Sequence, residues 1–230
     1  MWITLMILGG LILVIGVAIP EELAKAEIVL VGPRASGKTT FLEFLKVKKV
    51  RRKTEQTVAE GDSLNLDGVG VILDWGGMRE ENHPNLQSAL SAGKKVWLFI
   101  PLDTVVASST EGCGIKNEKQ RFYLRRNLAL LLEDRYKEEM TKKVDRVIFT
   151  FVDRLKGFSK EYAKDITAFV ENNEEIKSVL EKDSELKKQI DYWKRQAGNK
   201  VTYLPLNPFY KEELIQILTQ LKKELDKEKK

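Results

Sequence analysis

The sequence predicts an α/β domain in which helices cover both faces of a mostly parallel sheet. Near-continuous apolar runs of strand length alternate with helical patterns along the chain. The strand runs are 95–102, 146–152 and 201–205, and the helical patterns are about 84–92, 118–143 and 209–227. Runs that are apolar on both faces suit central strands, and the alternation of strand and helix is typical of a doubly wound sheet.

Two further segments complete the predicted domain. Asp67-Gly68 separates the extended runs 57–66 and 69–74, which predicts a tight antiparallel hairpin at one edge of the sheet. Residues from about 157 to 199 are rich in Lys and Glu, with apolar residues at helical intervals, and this segment is longer than one crossover requires. We expect an inserted helical pair there that packs on the edge of the domain.

Residues 2–19 contain no charge, and as a helix they would span roughly 27 Å, close to the hydrocarbon thickness of a bilayer. We therefore expect a transmembrane anchor over 1–20, a linker over 21–26 and the domain over 27–230. Basic residues lie only on the C-terminal side, which predicts a cytosolic domain. A cleaved signal peptide is the main alternative, but no basic n-region precedes the apolar run.

Composition excludes several classes of site. The chain has one Cys and one His, so an intramolecular disulfide and a metal site built from several histidines are both excluded. The formal net charge of +5 is modest for 230 residues, and no nucleic-acid partner is expected from it.

The most informative motif is Gly32-Pro33-Arg34-Ala35-Ser36-Gly37-Lys38-Thr39, which fits the phosphate-binding pattern G-x-x-x-x-G-K-[ST]. It follows the apolar run 28–31 and precedes a helical pattern that starts at Thr40. In such a loop, backbone N–H groups at the start of a helix surround the phosphates. We expect residues 32–40 to bind nucleotide, Lys38 to meet the transferring phosphates and Thr39 to ligate Mg²⁺.

A second motif, Asp74-Trp75-Gly76-Gly77, closes the predicted hairpin and fits D-x-x-G. The carboxylate of Asp74 would hold Mg²⁺ through water, and the N–H of Gly77 would meet the γ-phosphate. Thr57 stands 18 positions after Thr39 (57 − 39), where its hydroxyl could complete the Mg²⁺ shell when the γ-phosphate is present. Thr54 competes for this role, and an ordinary loop threonine is the alternative for both.

The order of these motifs resembles that of the Ras-like small GTPases, whose domain is a P-loop NTPase fold. In that family a base-reading loop has the pattern [NT]-K-x-D, and the matching segment here is Thr150-Phe151-Val152-Asp153. The resemblance implies that Thr150 and Asp153 bind the base, with Asp153 accepting from the N1–H and amine of guanine. Phe151 replaces the lysine, and its ring could stack on the base instead. Asp153 as a helix cap is the alternative.

The family's second base loop falls at Leu206-Asn207. Its water-positioning glutamine falls at Met78, whose thioether cannot orient water as an amide does, so we expect slow GTP hydrolysis. Within the superfamily, an apolar N-terminal span and a short linker before the domain are similar to the beta subunit of the signal recognition particle receptor. That resemblance implies a protein partner at the switch region, of the receptor alpha-subunit type.

We therefore expect a membrane-anchored switch protein that binds GTP or GDP with Mg²⁺ and recruits or releases a protein partner. Two alternatives stay open. One is a scaffold subunit locked by a nucleotide that it seldom hydrolyses. The other is a P-loop kinase or ATPase, in which Arg121, Arg125 and Arg126 would close on phosphates.

Overall fold

The computed structural model describes residues 2–8, 11–17, 26–47, 62–66, 69–74, 83–106 and 118–228, which contain eight strands, nine α-helices and three short 3-10 helices. The strands are β1 (Trp2–Leu8), β2 (Leu11–Val17), β3 (Ala26–Val31), β4 (Asp62–Leu66), β5 (Gly70–Asp74), β6 (Lys95–Pro101), β7 (Val144–Thr150) and β8 (Val201–Leu204). The helices are α1 (Lys38–Val47), α2 (His83–Ala92), α3 (Leu102–Val106), α4 (Glu118–Leu130), α5 (Asp134–Lys143), α6 (Ile166–Glu171), α7 (Glu174–Lys182), α8 (Ser184–Gln196) and α9 (Lys211–Glu228).

Six of the strands form one sheet in the order β4-β5-β3-β6-β7-β8. The pair β4 and β5 is antiparallel, with Asp62 opposite Asp74 and Leu66 opposite Gly70, and every other neighbouring pair is parallel. The predicted α/β class and the antiparallel hairpin at one edge are therefore confirmed.

Both faces of the sheet are buried, as the continuous apolar runs predict. Along β3, Val29 and Val31 belong to one hydrophobic cluster, whereas Ile28 and Leu30 belong to a second. Successive side chains of a strand point to opposite faces, so the two clusters are the two faces of the sheet. Helices α2, α4, α5 and α8 contribute to the first cluster and helices α1 and α9 to the second. Burial of each such side chain stabilises the fold by roughly 1.5–3 kcal/mol.

The helical pattern at 118–143 is divided into α4 and α5 rather than forming one helix. Leu128, Leu130 and Leu131 are all buried in the first cluster. Three such closely spaced residues cannot all lie on the same narrow stripe of a continuous helix. The turn at 131–133 resolves this conflict, and α5 starts after Glu133.

The insertion before β8 contains three short helices, α6, α7 and α8, rather than the expected pair. Each helix starts after an Asp or Asn whose side chain accepts from a backbone N–H three residues on: Asp165, Asn173 and Asp183. These caps satisfy N–H groups that a helix leaves unpaired at its start. Helix α8 contacts α4 and β7, and α7 contacts α3, so the insertion covers one face of the sheet and does not only pack on its edge.

The N-terminal segment differs from the single helix expected over 2–19. Its backbone forms two antiparallel strands, with Trp2 opposite Val17 and Leu8 opposite Leu11. The sequence offers a physical reason, because the segment is rich in Ile and Val and has a Gly-Gly pair at its centre, which is typical of a hairpin. None of the helices in the described ranges has both the length and the apolar composition needed to cross a membrane.

Candidate functional site

The polar residues singled out by the sequence meet at one edge of the sheet, where its parallel strands end. Asp74 is the last residue of β5 and Thr150 is the last residue of β7. The loop 32–37 leaves the end of β3, and Leu206 lies two residues past the end of β8. The carboxyl edge of a parallel sheet is where open α/β folds bind ligands.

The loop 32–37 joins β3 to α1 and wraps around the amine of Lys38. The Nζ atom donates to the carbonyl of Gly32 at 3.1 Å, to the carbonyl of Pro33 at 3.0 Å and to the hydroxyl of Ser36 at 3.3 Å. The backbone N–H of Ser36 also donates to the carbonyl of Pro33, at 3.3 Å. The lysine side chain is therefore folded back over the loop, and only 5% of the residue is exposed.

The electrostatic setting of this amine favours an anion beside it. Burial lowers the pKa of Lys38, and the nearby carboxylate of Asp74 opposes that shift. Carbonyl oxygens solvate an ammonium group only in part, so a phosphate oxygen nearby would stabilise its charged form. Helix α1 adds to this field, because it starts at Lys38 with its positive dipole end at the loop.

Two positions of the loop require glycine. A Cβ atom at Gly32 would lie 2.6 Å from the carbonyl oxygen of Phe99. Gly37 has φ of +88°, and a Cβ atom there would lie 2.4 Å from Cδ1 of Leu206. The carbonyl of Gly37 accepts the first hydrogen bond of α1, from Phe41 at 2.9 Å, so the second glycine starts the helix. Arg34 and Ala35 form the exposed tip, and Ala35 has φ of +59°.

The two residues predicted to hold Mg²⁺ are in contact, although they lie 35 positions apart in the sequence. The hydroxyl of Thr39 donates to Oδ2 of Asp74 at 2.6 Å, and Asp74 is fully buried. A hydroxyl and a carboxylate are oxygen ligands of the kind that Mg²⁺ prefers. Across the described residues no group of three or more His, Cys, Asp or Glu side chains could hold a metal. A cation at Thr39 and Asp74 would therefore need further oxygens from a ligand such as a phosphate.

Thr150 connects the predicted base loop to the phosphate loop. Its hydroxyl donates to the backbone carbonyl of Ser36 at 2.7 Å, and both residues are fully buried. The next residue, Phe151, has φ of +59°, and its ring lies against Gly37. The two loops are therefore held together by a hydrogen bond and by packing.

Asp153 lies beside Leu206, as the predicted base site requires. The backbone N–H groups of Asp153 and Leu206 donate to the carboxylate of Asp153, whereas its Oδ1 atom is buried with no hydrogen-bond partner in the part of the chain that is described. Burial raises the pKa of Asp153 to about 6; the positive charge of Arg154 and these two N–H donors oppose the shift, and Asp103 adds to it. Buried carboxylate oxygens normally accept a hydrogen bond, so a ligand with a donor group could bind this oxygen.

Two residues of this edge were not singled out as a pair by the sequence. The guanidinium of Arg154 lies 3.9 Å from the ring centroid of Phe151, and its Nη1 donates to Oδ2 of Asp103 at 2.8 Å. Asp103 follows the end of β6 and Arg154 follows the end of β7. The parallel neighbouring strands bring the two residues together, so the sheet order was the signal that could have predicted this pair.

For several predicted site residues, the structure says little or nothing about their proposed roles. Thr40 lies in the first turn of α1 and is half-buried. Thr57, its rival Thr54, Gly77 and Met78 lie outside the residues that the structure describes. The proposed roles of these residues stay predictions.

Comparison with known proteins adds no relative: no protein-family model matches this sequence, and a search of curated proteins finds no match. The residues of the site therefore carry the functional argument.

Proposed function

We propose that this protein binds GTP or GDP together with Mg²⁺ at the carboxyl edge of its sheet and acts as a nucleotide-dependent switch. The observation that carries the proposal is the 2.6 Å contact between the Thr39 hydroxyl and the Asp74 carboxylate. Two independent motifs predicted these two residues as one cation site, and their meeting beside the Lys38 amine supports a site for a metal-bound phosphate.

In the proposed complex, each residue acts on the phosphates from a defined place. Lys38 would exchange its contacts with the loop carbonyls for phosphate oxygens, and the N–H groups at the start of α1 would bind further oxygens. Thr39 would ligate the cation directly, and Asp74 would hold one of its waters. Bound Mg²⁺ would neutralise phosphate charge. The Lys38 ammonium and the loop amides would stabilise the charge that develops during phosphoryl transfer.

The guanine preference is proposed from the residues that surround Asp153. The N1–H and the exocyclic amine of guanine are two donors on one edge, and a carboxylate accepts both. Adenine does not offer donors in that arrangement. The buried Oδ1 of Asp153, which has no partner among the described residues, supports this assignment.

The sheet order supports a Ras-like domain. Renumbered from β3, the order of the six strands is 2-3-1-4-5-6, and the second strand alone is antiparallel to its neighbour. In this arrangement the phosphate loop follows the first strand, the D-x-x-G carboxylate ends the third and the base loop ends the fifth. The resemblance to the Ras-like GTPases predicts this order of motifs, and the agreement supports the proposal.

The switch itself is proposed from the sequence around Thr57 and the segment from Asp74 to Glu81. These residues would change position with the γ-phosphate and so recruit or release a protein partner, of which a receptor alpha-type subunit is the example that the resemblance implies. Met78 in place of a glutamine favours slow hydrolysis. It also favours the second candidate function, a scaffold subunit that keeps its nucleotide. Equal partner affinity of the GTP and GDP forms would identify the scaffold, because a switch needs different affinities.

The kinase alternative is weakened by the partners of its arginines. Arg121 donates to the carboxylate of Glu118 and to the carbonyl of Val105, and Arg125 pairs with Asp183 at 3.4 Å. Arginines that close on a transferred phosphate must leave such partners first. We therefore retain a kinase or ATPase only as an outcome of the binding test.

Membrane anchoring is proposed from the charge-free composition of residues 2–19. A two-stranded ribbon leaves outward N–H and C=O groups on both strands, and bilayer hydrocarbon cannot satisfy them. The proposal therefore requires that the segment becomes helical in lipid. Circular dichroism of a peptide of residues 1–26 should change from a strand-like to a helical spectrum when lipid vesicles are added, and a strand-like spectrum in lipid would contradict the anchor.

The deciding experiment is nucleotide binding by the full-length chain. Fluorescent GDP should bind in the presence of Mg²⁺, unlabelled GTP and GDP should displace it, and ATP should not. Lys38→Ala should abolish binding, whereas Lys46→Ala, at the exposed end of the same helix, should leave it unchanged. Displacement by ATP alone would refute the guanine assignment, and undiminished binding by Lys38→Ala would refute the phosphate loop.

A further inference from the structure

The cation of Arg154 lies over the ring of Phe151 beside the proposed nucleotide site. The guanidinium carbon is 3.9 Å from the ring centroid, well within the distance of a cation–π interaction. Phe151 itself is 8% exposed and packs in the second hydrophobic cluster with its ring edge near Gly37. The aromatic ring therefore supports the arginine and offers little surface of its own to a ligand.

A buried carboxylate fixes the arginine in this position. Oδ2 of Asp103 accepts from Nη1 of Arg154 at 2.8 Å, and the Asp103 side chain is 3% exposed. Arginine normally loses considerable rotamer freedom when it is ordered. Here the ring and the carboxylate have already ordered it, so a ligand would not bear that cost. The Arg154 side chain is 27% exposed, so the ring and the carboxylate do not cover it completely.

We propose that Arg154 is the residue on which the nucleobase stacks, with Phe151 and Asp103 as the residues that position it. The inference rests on the proposed nucleotide site and names one of its specificity-determining residues. Arg154 follows Asp153 directly, so one turn of chain would present a carboxylate to the edge of a purine and a planar cation to its face. A delocalised guanidinium stacks on aromatic planes in a way that an ammonium group does not.

This assignment revises the expectation that Phe151 takes over from the family's lysine. Phe151 occupies the position of the family's lysine, but the guanidinium of Arg154 lies over its ring. In the proposed complex the base would therefore contact Arg154, and Phe151 would support the arginine from the other side.

Two ligands separate a base-stacking role from a merely structural one. GDP carries a base, whereas inorganic tripolyphosphate carries phosphates alone. Calorimetric titration of the full-length protein with each ligand, in Mg²⁺ at about pH 8 where Asp153 is ionised, measures the two affinities. We expect Arg154→Ala to weaken GDP roughly five- to thirtyfold, from the loss of a desolvated cation–π stack, and to leave tripolyphosphate within about twofold.

Arg154→Lys keeps a positive charge next to Asp103 and guards against a variant that fails to fold. We expect it to lose most of the GDP affinity that Arg154→Ala loses, because lysine cannot present a flat face. Arg135→Ala is the matched control. Arg135 also lies on an aromatic ring, that of Tyr136 at 4.7 Å, and also pairs with a carboxylate, that of Glu133, but it belongs to α5. It should leave both ligands unaffected.

The outcomes separate this inference from the proposed function. If the wild type binds GDP through Lys38 but the Arg154 variants bind it equally well, the stacking role is wrong and the nucleotide site stands. If the variants weaken GDP and tripolyphosphate by the same factor, Arg154 only supports the loop, and the inference is again overturned. If the wild type binds neither ligand, both the inference and the proposed function fail.

Discussion

The buried carboxylate of Asp153 should make the proposed guanine binding depend on pH in a predictable direction. Burial raises its pKa to about 6, with a further contribution from Asp103. The ordinary value is 3.8. A protonated carboxyl group cannot accept two hydrogen bonds from a guanine edge on the same two oxygens, so only the ionised form is competent to bind. Below pH 6 the competent fraction falls.

The size of the effect follows from the competent fraction. With a pKa near 6, about nine-tenths or more of Asp153 is ionised above pH 7 and about one-tenth at pH 5, so the apparent affinity for GDP should fall about tenfold across this range. Phosphate groups also take up protons in this interval. Asp153→Asn supplies the reference, because it removes the titrating group and keeps the phosphate chemistry.

The raised pKa of Asp153 also makes the stability of the ligand-free protein depend on pH. Stability should fall as pH rises, whereas GDP affinity should rise. Between pH 4 and pH 6 the native state binds more protons at Asp153 than the unfolded state does, so the free energy of unfolding falls as pH rises through this window. A shift from 3.8 to about 6 corresponds to at most about 3 kcal/mol. Because the residue keeps some exposure and solvent screens part of the effect, we expect about 1–2 kcal/mol. Ligand-free Asp153→Asn should therefore be more stable than the wild type at pH 8 and similar at pH 4.

The assay combines calorimetric titration with GDP at several pH values and urea unfolding of the ligand-free protein. The reasoning would be refuted by a wild type and an Asp153→Asn variant whose GDP affinities vary with pH in parallel. It would also be refuted if the variant were less stable than the wild type at pH 8, since that would mean that the ionised carboxylate stabilises the fold.

Three further substitutions test the loop contacts one at a time. Thr150→Val removes the 2.7 Å donor to the buried carbonyl of Ser36 and should lower the free energy of unfolding in urea by about 1–3 kcal/mol, whereas Thr150→Ser should retain most of it. Thr39→Val removes the hydroxyl that contacts Asp74; GTP binding should then no longer respond to Mg²⁺ or its chelation, and an unchanged Mg²⁺ response would exclude this residue as a ligand. Gly37→Ala forces a side chain into φ of +88° and should lower the free energy of unfolding in urea by roughly 2 kcal/mol; an unchanged free energy would show that this position does not require glycine.

The sheet was predictable because the composition of its central strands distinguishes them from the rest of the chain. The runs at β6, β7 and β8 are mainly apolar, and the structure starts and ends them within two residues of the predicted bounds. The shape of the loop 32–37 was predictable for another reason. Gly32 lies against the backbone carbonyl of Phe99 and Gly37 has φ of +88°, so both positions require glycine, and the glycines are visible in the sequence.

Features that depend on tertiary packing were less predictable. The break between α4 and α5 arises because Leu130 and Leu131 are both buried, and a periodicity that counts apolar residues does not show which of them reach the core. The apolar spacing alone does not show where one helix of the insertion ends and the next begins. The three capping residues, Asp165, Asn173 and Asp183, could have predicted three helices rather than two. The pair of Asp103 and Arg154 needs the order of the strands, which only the fold supplies.

The contacts between the loops imply that the proposed phosphate and base halves of the site are not independent. Thr150 donates to the carbonyl of Ser36, while Leu206 and Phe151 pack against Gly37, the residue just before α1. A ligand that orders the base loops would therefore also order the phosphate loop, and each half would bind more tightly when the other is in place. Such coupling suits a protein that must distinguish a whole nucleotide from free phosphate. It also gives a structural reason for the buried Thr150 hydroxyl at the end of β7, since that hydroxyl joins the two loops.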